Sequence, residues 1–225
     1  MRTWLLALSV TSAASASEMP LAVNQLVTGA SSYVRVTNVD VRTITAWTLV
    51  VTSTEGATTR RRVQTTDIYL TKITRGLPQS SEELFASLRP GESRVLPLES
   101  LSPESTVEVV AVVLDNETAV GDEKIILEIF ARREKERLAL RAVVDAFNEV
   151  LSTQHGTAAL EALRERFTAL QQQDGSVPCR AALDALQMYS RSTNADEIDQ
   201  LLKAYGAFVA REYELAVKHS RRKVA

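Results

Sequence analysis

The sequence predicts an α+β protein in which an N-terminal antiparallel β-sandwich is joined by a long helix to a C-terminal antiparallel helical bundle. Three observations predict this class. From residue 21 to about residue 120, apolar and polar residues alternate with the two-residue period of strands. From residue 122 onward, apolar residues recur at spacings of three and four, the period of a helix. Turn-forming residues separate the runs in both halves.

Residues 1–16 have the layout of a cleavable signal peptide. Arg2 supplies a positive charge near the start, and a short apolar run follows from residue 4 to residue 10. Ala14 and Ala16 fit the small-residue cleavage pattern, which predicts a cut before Ser17. The apolar run is too short to span a bilayer. We therefore expect an exported protein, periplasmic or extracellular after cleavage, and the alternative is a buried N-terminal helix.

Residues 17–121 are predicted to form the sandwich, with about seven short strands separated by turn signals. In one strand, the alternation predicts Trp47 and Leu49 on one face and Ile44 and Ala46 on the other. Because Trp47 lies on an apolar strand face, we expect it in the core. Val and Thr are abundant in this half, as expected on a pleated, packed surface.

The last part of the sandwich sequence predicts a central strand, a hairpin turn and an insertion. The run 107–114 is apolar on both faces, which predicts a central strand covered on both sides. Asn116, Glu117 and Thr118 are predicted to form the hairpin turn. Residues 72–87 interrupt the strand pattern and are interpreted as an irregular insertion.

Residues 122–225 are predicted to contain the long connecting helix and the bundle. Asp122 is predicted to cap a single helix of about 30 residues, because no glycine or proline interrupts the pattern. Ile126 and Phe130 are predicted to pack on the sandwich, and the apolar residues from 140 onward on the bundle. The charged stretch 132–137 lacks an apolar stripe, so we expect it to be solvated between the two cores.

Three further helices are predicted, each with its own start signal. The predicted N-caps are Thr157, Ser176 and Asn194, and Gly175 is expected just beyond the end of the first of these helices. Short loops between the helices favour an antiparallel bundle. Cys179, the only cysteine, is expected in the bundle core, and the alternative is an intermolecular disulfide.

Four segments of the sandwich resemble a known type of module. The strand from Tyr33 to Asn38, the strand of Trp47, the turn at 88–92 and the apolar strand 109–115 are similar to immunoglobulin-like or fibronectin-type modules of exported bacterial proteins in which a helical region follows. The resemblance covers about half of the chain. It implies a β-sandwich and an exported protein, but no catalytic or ligand-binding residue, because such modules serve many purposes.

Residues that could carry chemistry are sparse. No catalytic, cofactor-binding or metal-ligating residue is predicted, because His155 and His219 lack partners at metal-ligand spacing and no phosphate-binding glycine loop occurs. The residues that could contact an anion or a partner lie in two basic clusters: Arg60, Arg61, Arg62, Lys218, Arg221, Arg222 and Lys223. The favoured interpretation of the first cluster is a solvated strand edge, and of the second a solvated tail.

Composition and the lack of motifs together favour a binding function. The formal net charge of −2 argues against nucleic acid or an anionic membrane as partner, and the aromatic content of 5% argues against a glycan. We therefore expect a non-enzymatic adaptor of the bacterial envelope or secreted fraction that contacts another protein without a cofactor. Two alternatives stay open: a hydrolase or enzyme subunit with a site in residues 72–87 or between the domains, and a structural homo-oligomer.

Overall fold

The computed structural model describes five stretches of the chain, residues 19–28, 31–55, 58–73, 87–97 and 105–223. The predicted signal peptide lies outside the described residues, and so does most of the predicted insertion at 72–87. The described residues form seven strands and five helices, with the strands in the N-terminal part and four of the helices after them. The predicted α+β class is confirmed at this level.

The strands form two antiparallel sheets. The first contains, in order across the sheet, β1 (Leu21–Thr28), β2 (Ser31–Asn38) and β5 (Ser93–Pro97). The second contains, in order, β4 (Thr58–Asp67), β3 (Ile44–Glu55), β6 (Thr106–Leu114) and β7 (Ala119–Gly121). The predicted hairpin turn joins β6 to β7, and within it Glu117 adopts a φ of 66°.

The two sheets share an apolar core. Trp47 and Leu49 of β3 lie in it with Val34 of β2, and Trp47 is fully buried, as predicted. Ile44 also lies in this core, so its predicted placement on the opposite face is wrong. The pairing of β3 with β6 shifts register between Ile44 and Ala46, and such an irregularity reverses the alternation of side chains.

The helices are α1 (Ile68–Ile73), α2 (Glu123–Leu151), α3 (Gly156–Asp174), α4 (Val177–Tyr189) and α5 (Ala195–His219). The prediction of one long helix is confirmed, since α2 has 29 residues and Asp122 caps it by accepting the N–H of Ile125 at 3.2 Å. Ile126 and Phe130 of α2 pack on Ala111 and Val113 of β6, as predicted for the first half of this helix. The central strand β6 is therefore covered by the first sheet on one face and by α2 on the other.

The second half of α2 shares a separate apolar core with α3, α4 and α5. Its largest fully buried side chains are Phe167, Leu163, Leu186, Ile198 and Leu202. Cys179 is buried in this core, as expected, and Ser176 is the N-cap residue of α4. Among the described residues, none of the helices is both long enough and apolar enough to cross a membrane.

Three of the predicted ends of the bundle helices, Ser176, Asn194 and Gly175, are confirmed, and one is wrong. Asn194 caps α5 by accepting two backbone N–H groups, and Gly175 ends α3 with a φ of 60°. Thr157 is not a cap, because α3 already begins at Gly156. The N–H of Gly156 donates to the carboxylate of Asp199 in α5 at 2.6 Å, so a neighbouring helix satisfies this end of α3.

Gly121 ends β7 directly before the cap of α2, and its backbone requires a glycine. Its φ is +123°, and a Cβ at this position would lie 2.2 Å from the carbonyl oxygen of Val110. A side chain would therefore push β7 away from β6 at the point where α2 begins. We expect Gly121→Ala to lower the free energy of unfolding by about 3 kcal/mol or more, measured by urea denaturation.

Gly91→Ala is the matched control. Gly91 also has a positive φ, +74°, but no described atom lies within 4 Å of the position that its Cβ would take. Backbone strain alone predicts that the free energy of unfolding of this variant is lower by about 1 kcal/mol. Equal losses in the two variants would show that the close approach at Gly121 contributes nothing.

Candidate functional site

Arg133 is a buried charge at the junction of the sheets and the helices. It lies on α2 seven residues after Ile126 and seven before Leu140, in line with the apolar side chains that the helix buries. Its side chain is only 3% exposed. The prediction that the stretch 132–137 is solvated is therefore wrong at this residue. A buried guanidinium needs opposite charge and hydrogen-bond acceptors, and the fold supplies both.

Each of the five N–H groups of Arg133 can be matched with an acceptor. Nε and Nη2 donate to the two carboxylate oxygens of Asp67 at 2.8 and 3.2 Å, which makes a bidentate ion pair. Nη1 donates to Glu117 Oε2 at 2.8 Å and to the backbone carbonyl of His219 at 3.1 Å. Nη2 also donates to Thr45 Oγ1 at 3.3 Å.

The aromatic ring of Tyr69 packs against both His219 and Arg133. The ring of Tyr69 stacks on the ring of His219, with centroids 4.1 Å apart and planes inclined by 12°. The guanidinium carbon of Arg133 lies 4.8 Å from the centroid of the same Tyr69 ring, within the range of a cation–π interaction. We call these six residues the Arg133 cluster: Arg133, Thr45, Asp67, Tyr69, Glu117 and His219.

The Arg133 cluster joins segments that are distant in the sequence. Thr45 lies on β3, Asp67 ends β4, Tyr69 lies on α1, and Glu117 lies in the turn between β6 and β7. His219 ends α5, and the N–H of Lys223 beyond it donates to the carbonyl of Glu117 at 3.0 Å. The C-terminal segment therefore packs on the sandwich as far as Lys223, and the prediction of a wholly solvated tail is wrong.

Glu117 and His219 form a buried pair that is held uncharged. Glu117 Oε1 and His219 Nδ1 are 2.5 Å apart. Burial raises the pKa of Glu117 to about 7, against the lowering effect of Arg133. Burial, together with the charges of Lys218 and Arg133, lowers the pKa of His219 to about 4. Between about pH 4 and pH 7, the protonated Glu117 therefore donates to a neutral imidazole, and Arg133 keeps Asp67 as its counterion.

A second feature is a groove of about 510 Å³ between β4 and the first half of α2, which we call the β4–α2 groove. One side is formed by side chains of β4 and the other by side chains of α2. The lining residues are Arg61, Val63, Thr65, Asp122, Lys124, Ile125, Glu128, Ile129 and Arg132. Apolar side chains thus lie between positive and negative ones, and Val63 is 55% exposed.

The groove lies beside an open edge of the second sheet. β4 is the end strand of that sheet, and no strand among the described residues pairs with its outer edge. Arg61 lines the groove, whereas Arg60 and Arg62 lie on the opposite face of β4, because neighbouring side chains of a strand alternate. The two walls of the groove are tied together by the Arg133 cluster, since Asp67 ends β4 and Arg133 follows Arg132 on α2.

The structure separates the two predicted basic clusters. Arg60, Arg61 and Arg62 lie exposed on β4, whereas Arg222 of the second cluster pairs with Glu123 at 2.5 Å. Lys218, Arg221 and Lys223 have exposed side chains near the end of α5. Glu123 and Arg132 are nine residues apart on α2, so they face opposite sides of the helix. The second cluster therefore lies on the other side of α2 from the groove.

The sequence carries one signal of the Arg133 cluster that is not among the predictions above. Ile126, Arg133, Leu140 and Phe147 follow one another at intervals of seven, and the other three are apolar and buried. A charged residue in register with a buried stripe must find a counterion inside the fold. Which carboxylates serve could not be read from the sequence, because Asp67 lies 66 residues from Arg133.

Arg133→Met tests whether the buried charge holds the two halves together. The substitution leaves Asp67 buried without its counterion, so we expect the free energy of unfolding to fall by about 3–5 kcal/mol. The neighbouring variant Arg132→Met is the control, and it should change stability by less than about 0.5 kcal/mol because Arg132 is exposed. Urea denaturation of both variants measures the difference, and similar small losses would contradict the assigned role.

The Glu117 and His219 pair predicts pH effects of opposite sign in two variants. Glu117 has a raised pKa, so its stabilising contribution is present below pH 4.5 and is lost as pH rises to about 7. His219 has a lowered pKa, so its contribution is present above pH 6.5 and is lost as pH falls to about 4. As the pH rises from 4.5 to 7, the free energy of unfolding of Glu117→Gln should therefore increase relative to that of the wild type. As the pH rises from 4 to 6.5, the free energy of unfolding of His219→Gln should decrease relative to that of the wild type.

Urea denaturation at half-unit pH intervals measures these slopes. Burial also raises the pKa of Glu136 to about 7. Because Glu136 is present in the wild type and in both variants, its titration cancels when each variant's free energy of unfolding is compared with that of the wild type. Curves for both variants that run parallel to the wild-type curve would show that the pair does not stay uncharged.

Comparisons with known proteins do not add to this geometry. The chain matches no protein-family model, no curated protein and no solved structure. Within the part of the chain that the structure describes, no group of three or more histidine, cysteine, aspartate or glutamate residues could hold a metal ion. The Arg133 cluster and the β4–α2 groove are therefore the features from which a function can be argued.

Proposed function

We propose that this chain is an exported, non-enzymatic binding or adaptor protein of the bacterial envelope or secreted fraction, and that it contacts a partner protein through the β4–α2 groove. One observation carries the proposal: the groove combines exposed apolar and charged side chains on two walls that a buried ion pair holds in place. A binding surface with fixed walls loses less entropy on association than one that must be ordered.

The groove has the composition of a protein contact surface. Val63 and Ile125 supply apolar area, and Arg61 and Arg132 supply charged side chains. Interfaces commonly place apolar residues at the centre and polar residues around them, and arginine is enriched there. The remaining charges of the groove, Asp122, Lys124 and Glu128, would select the partner by its own charge pattern.

The proposal includes an immunoglobulin-like or fibronectin-type identity for the sandwich. In immunoglobulin domains, strands A, B and E share one sheet and strands C, F and G share the other. Here β1, β2 and β5 share one sheet and β3, β6 and β7 share the other, with β4 beside β3. This correspondence supports the resemblance, and the resemblance supports an exported location together with the predicted signal peptide.

The alternative of an enzyme with a site between the domains is less well supported. The polar groups at the junction belong to the Arg133 cluster, where the ionisable side chains of Arg133, Asp67, Glu117 and His219 are at most 7% exposed. These groups bond to one another instead of facing a cavity. Their arrangement favours a structural role for the junction and leaves recognition to the groove.

Affinity capture from a bacterial envelope extract tests the proposal. The wild-type protein, Arg61→Glu combined with Arg132→Glu, and Arg60→Glu are each immobilised and exposed to the same extract. We expect a partner that the wild type and Arg60→Glu retain and that the double variant loses. Arg60→Glu is the matched control because it changes the same charge on the same strand, but on the face away from the groove.

Each result of this capture has a defined meaning, provided that all three proteins unfold at similar urea concentrations. If the wild type retains no partner, the binding function is wrong. If all three proteins retain the same partner equally, the protein binds through a surface other than the groove.

A further inference from the structure

We propose that the β4–α2 groove receives an extended, acidic segment of the partner, which adds to the second sheet as a fifth strand beside β4. This inference rests on the proposed function and specifies its partner chemistry. It is argued from the open edge of β4, from the helix that runs beside that edge, and from the charges on both.

Among the described residues, no strand pairs with the outer edge of β4. β4 pairs with β3 along its whole length, from Thr58 to Asp67, and no described strand occupies its other side. Every residue from Thr58 to Val63 is exposed. In a strand with one neighbour, alternate N–H and C=O groups point outward, where an extended peptide can bond to them. This edge is also free of proline, which would remove donors.

The groove supplies contacts for the side chains of an added strand. One face of such a strand would follow the face of β4 that carries Arg61, Val63 and Thr65, and would therefore lie against α2. On α2, the half-buried Ile125 and the exposed Arg132 are accessible there, whereas Ile129 is buried against β6. An added strand would thus gain backbone bonds from β4 and side-chain contacts from α2, the combination by which strand addition achieves affinity and specificity.

Charge complementarity selects an acidic occupant. The groove contains three positive side chains, Arg61, Lys124 and Arg132, against the negative Asp122 and Glu128. The carboxylate of Asp122 already accepts the N–H of Ile125 as the cap of α2. An added strand that directs glutamate or aspartate into the groove would therefore meet Arg61, Lys124 and Arg132.

A row of arginines can also serve only to keep a sheet edge unpaired. The exposed Val63 distinguishes the two readings, because it places an apolar side chain in the middle of this edge and within the groove. An edge protected against pairing would be expected to carry charge or proline at such a position. This edge is therefore better explained as a binding site for an acidic strand than as an edge protected against pairing with any strand.

Three labelled heptapeptides test the inference by fluorescence anisotropy with the purified protein. The first alternates valine and glutamate, the second alternates valine and lysine, and the third is the first with a central proline. We expect the first peptide to bind at least about tenfold more tightly than the other two, because the second has the wrong charge and the third cannot continue a strand. Hydrogen exchange of the β4 amides should slow when the first peptide binds.

Variants of neighbouring arginines locate the bound strand. We expect Arg61→Glu to weaken binding of the valine–glutamate peptide at least about tenfold, and Arg60→Glu to weaken it about twofold or less. Equal effects of the two variants would place the peptide outside the groove and overturn the inference. Equal binding of the proline peptide, or unchanged exchange of the β4 amides, would overturn strand addition.

Failure of this inference can be distinguished from failure of the proposed function. If none of the peptides binds but capture from the envelope extract still depends on Arg61 and Arg132, the groove remains the partner site and the acidic strand is wrong. If capture also fails for the wild-type protein, both the inference and the binding function are wrong.

Discussion

An arginine can be buried only where its charge is balanced and its N–H groups are bonded, and at Arg133 this requirement governs how the parts of the chain meet. Its acceptors come from β3, the end of β4, the turn between β6 and β7, and the end of α5. These segments must all reach their places before the guanidinium is satisfied. The apolar contacts of α2 bring the helix to the second sheet. The hydrogen bonds of Arg133 favour the orientation in which all of these acceptors are reached.

A buried ion pair of this kind is not the strongest way to hold two layers together, because removing both charges from water is costly. Apolar side chains of similar volume could contribute as much stability. What the Arg133 cluster adds is a set of directional hydrogen bonds, which bind the guanidinium to Asp67 and Glu117 at the same time. The pairing of Asp67 with Arg133 also fixes β4 relative to α2, and these two elements form the walls of the groove. The β4–α2 groove therefore depends on the Arg133 cluster, although no residue of that cluster lines the groove.

The features that the sequence predicts well are those set by near neighbours. The change of period near residue 122, the cap at Asp122, the glycine after α3 and the burial of Trp47 each follow from local pattern. The predicted face of Ile44 is wrong because an irregular pairing of β3 with β6 reverses the alternation of side chains. The sequence of one strand does not show how that strand pairs with another. The Arg133 cluster and the groove were missed for a related reason. Both bring together residues from β4 and α2 that lie more than 60 residues apart in the chain.

A double-mutant cycle between Asp67 and Arg133 tests the central claim most directly. The unfolding free energies of the wild type, Asp67→Asn, Arg133→Met and the double variant give the coupling energy between the two side chains. If their pairing holds the sheets and helices in one arrangement, removing the second partner should recover much of the loss caused by the first. The expected coupling is about 2 kcal/mol or more. A coupling near zero would mean that the two side chains stabilise the fold independently, and the account of the junction would be wrong.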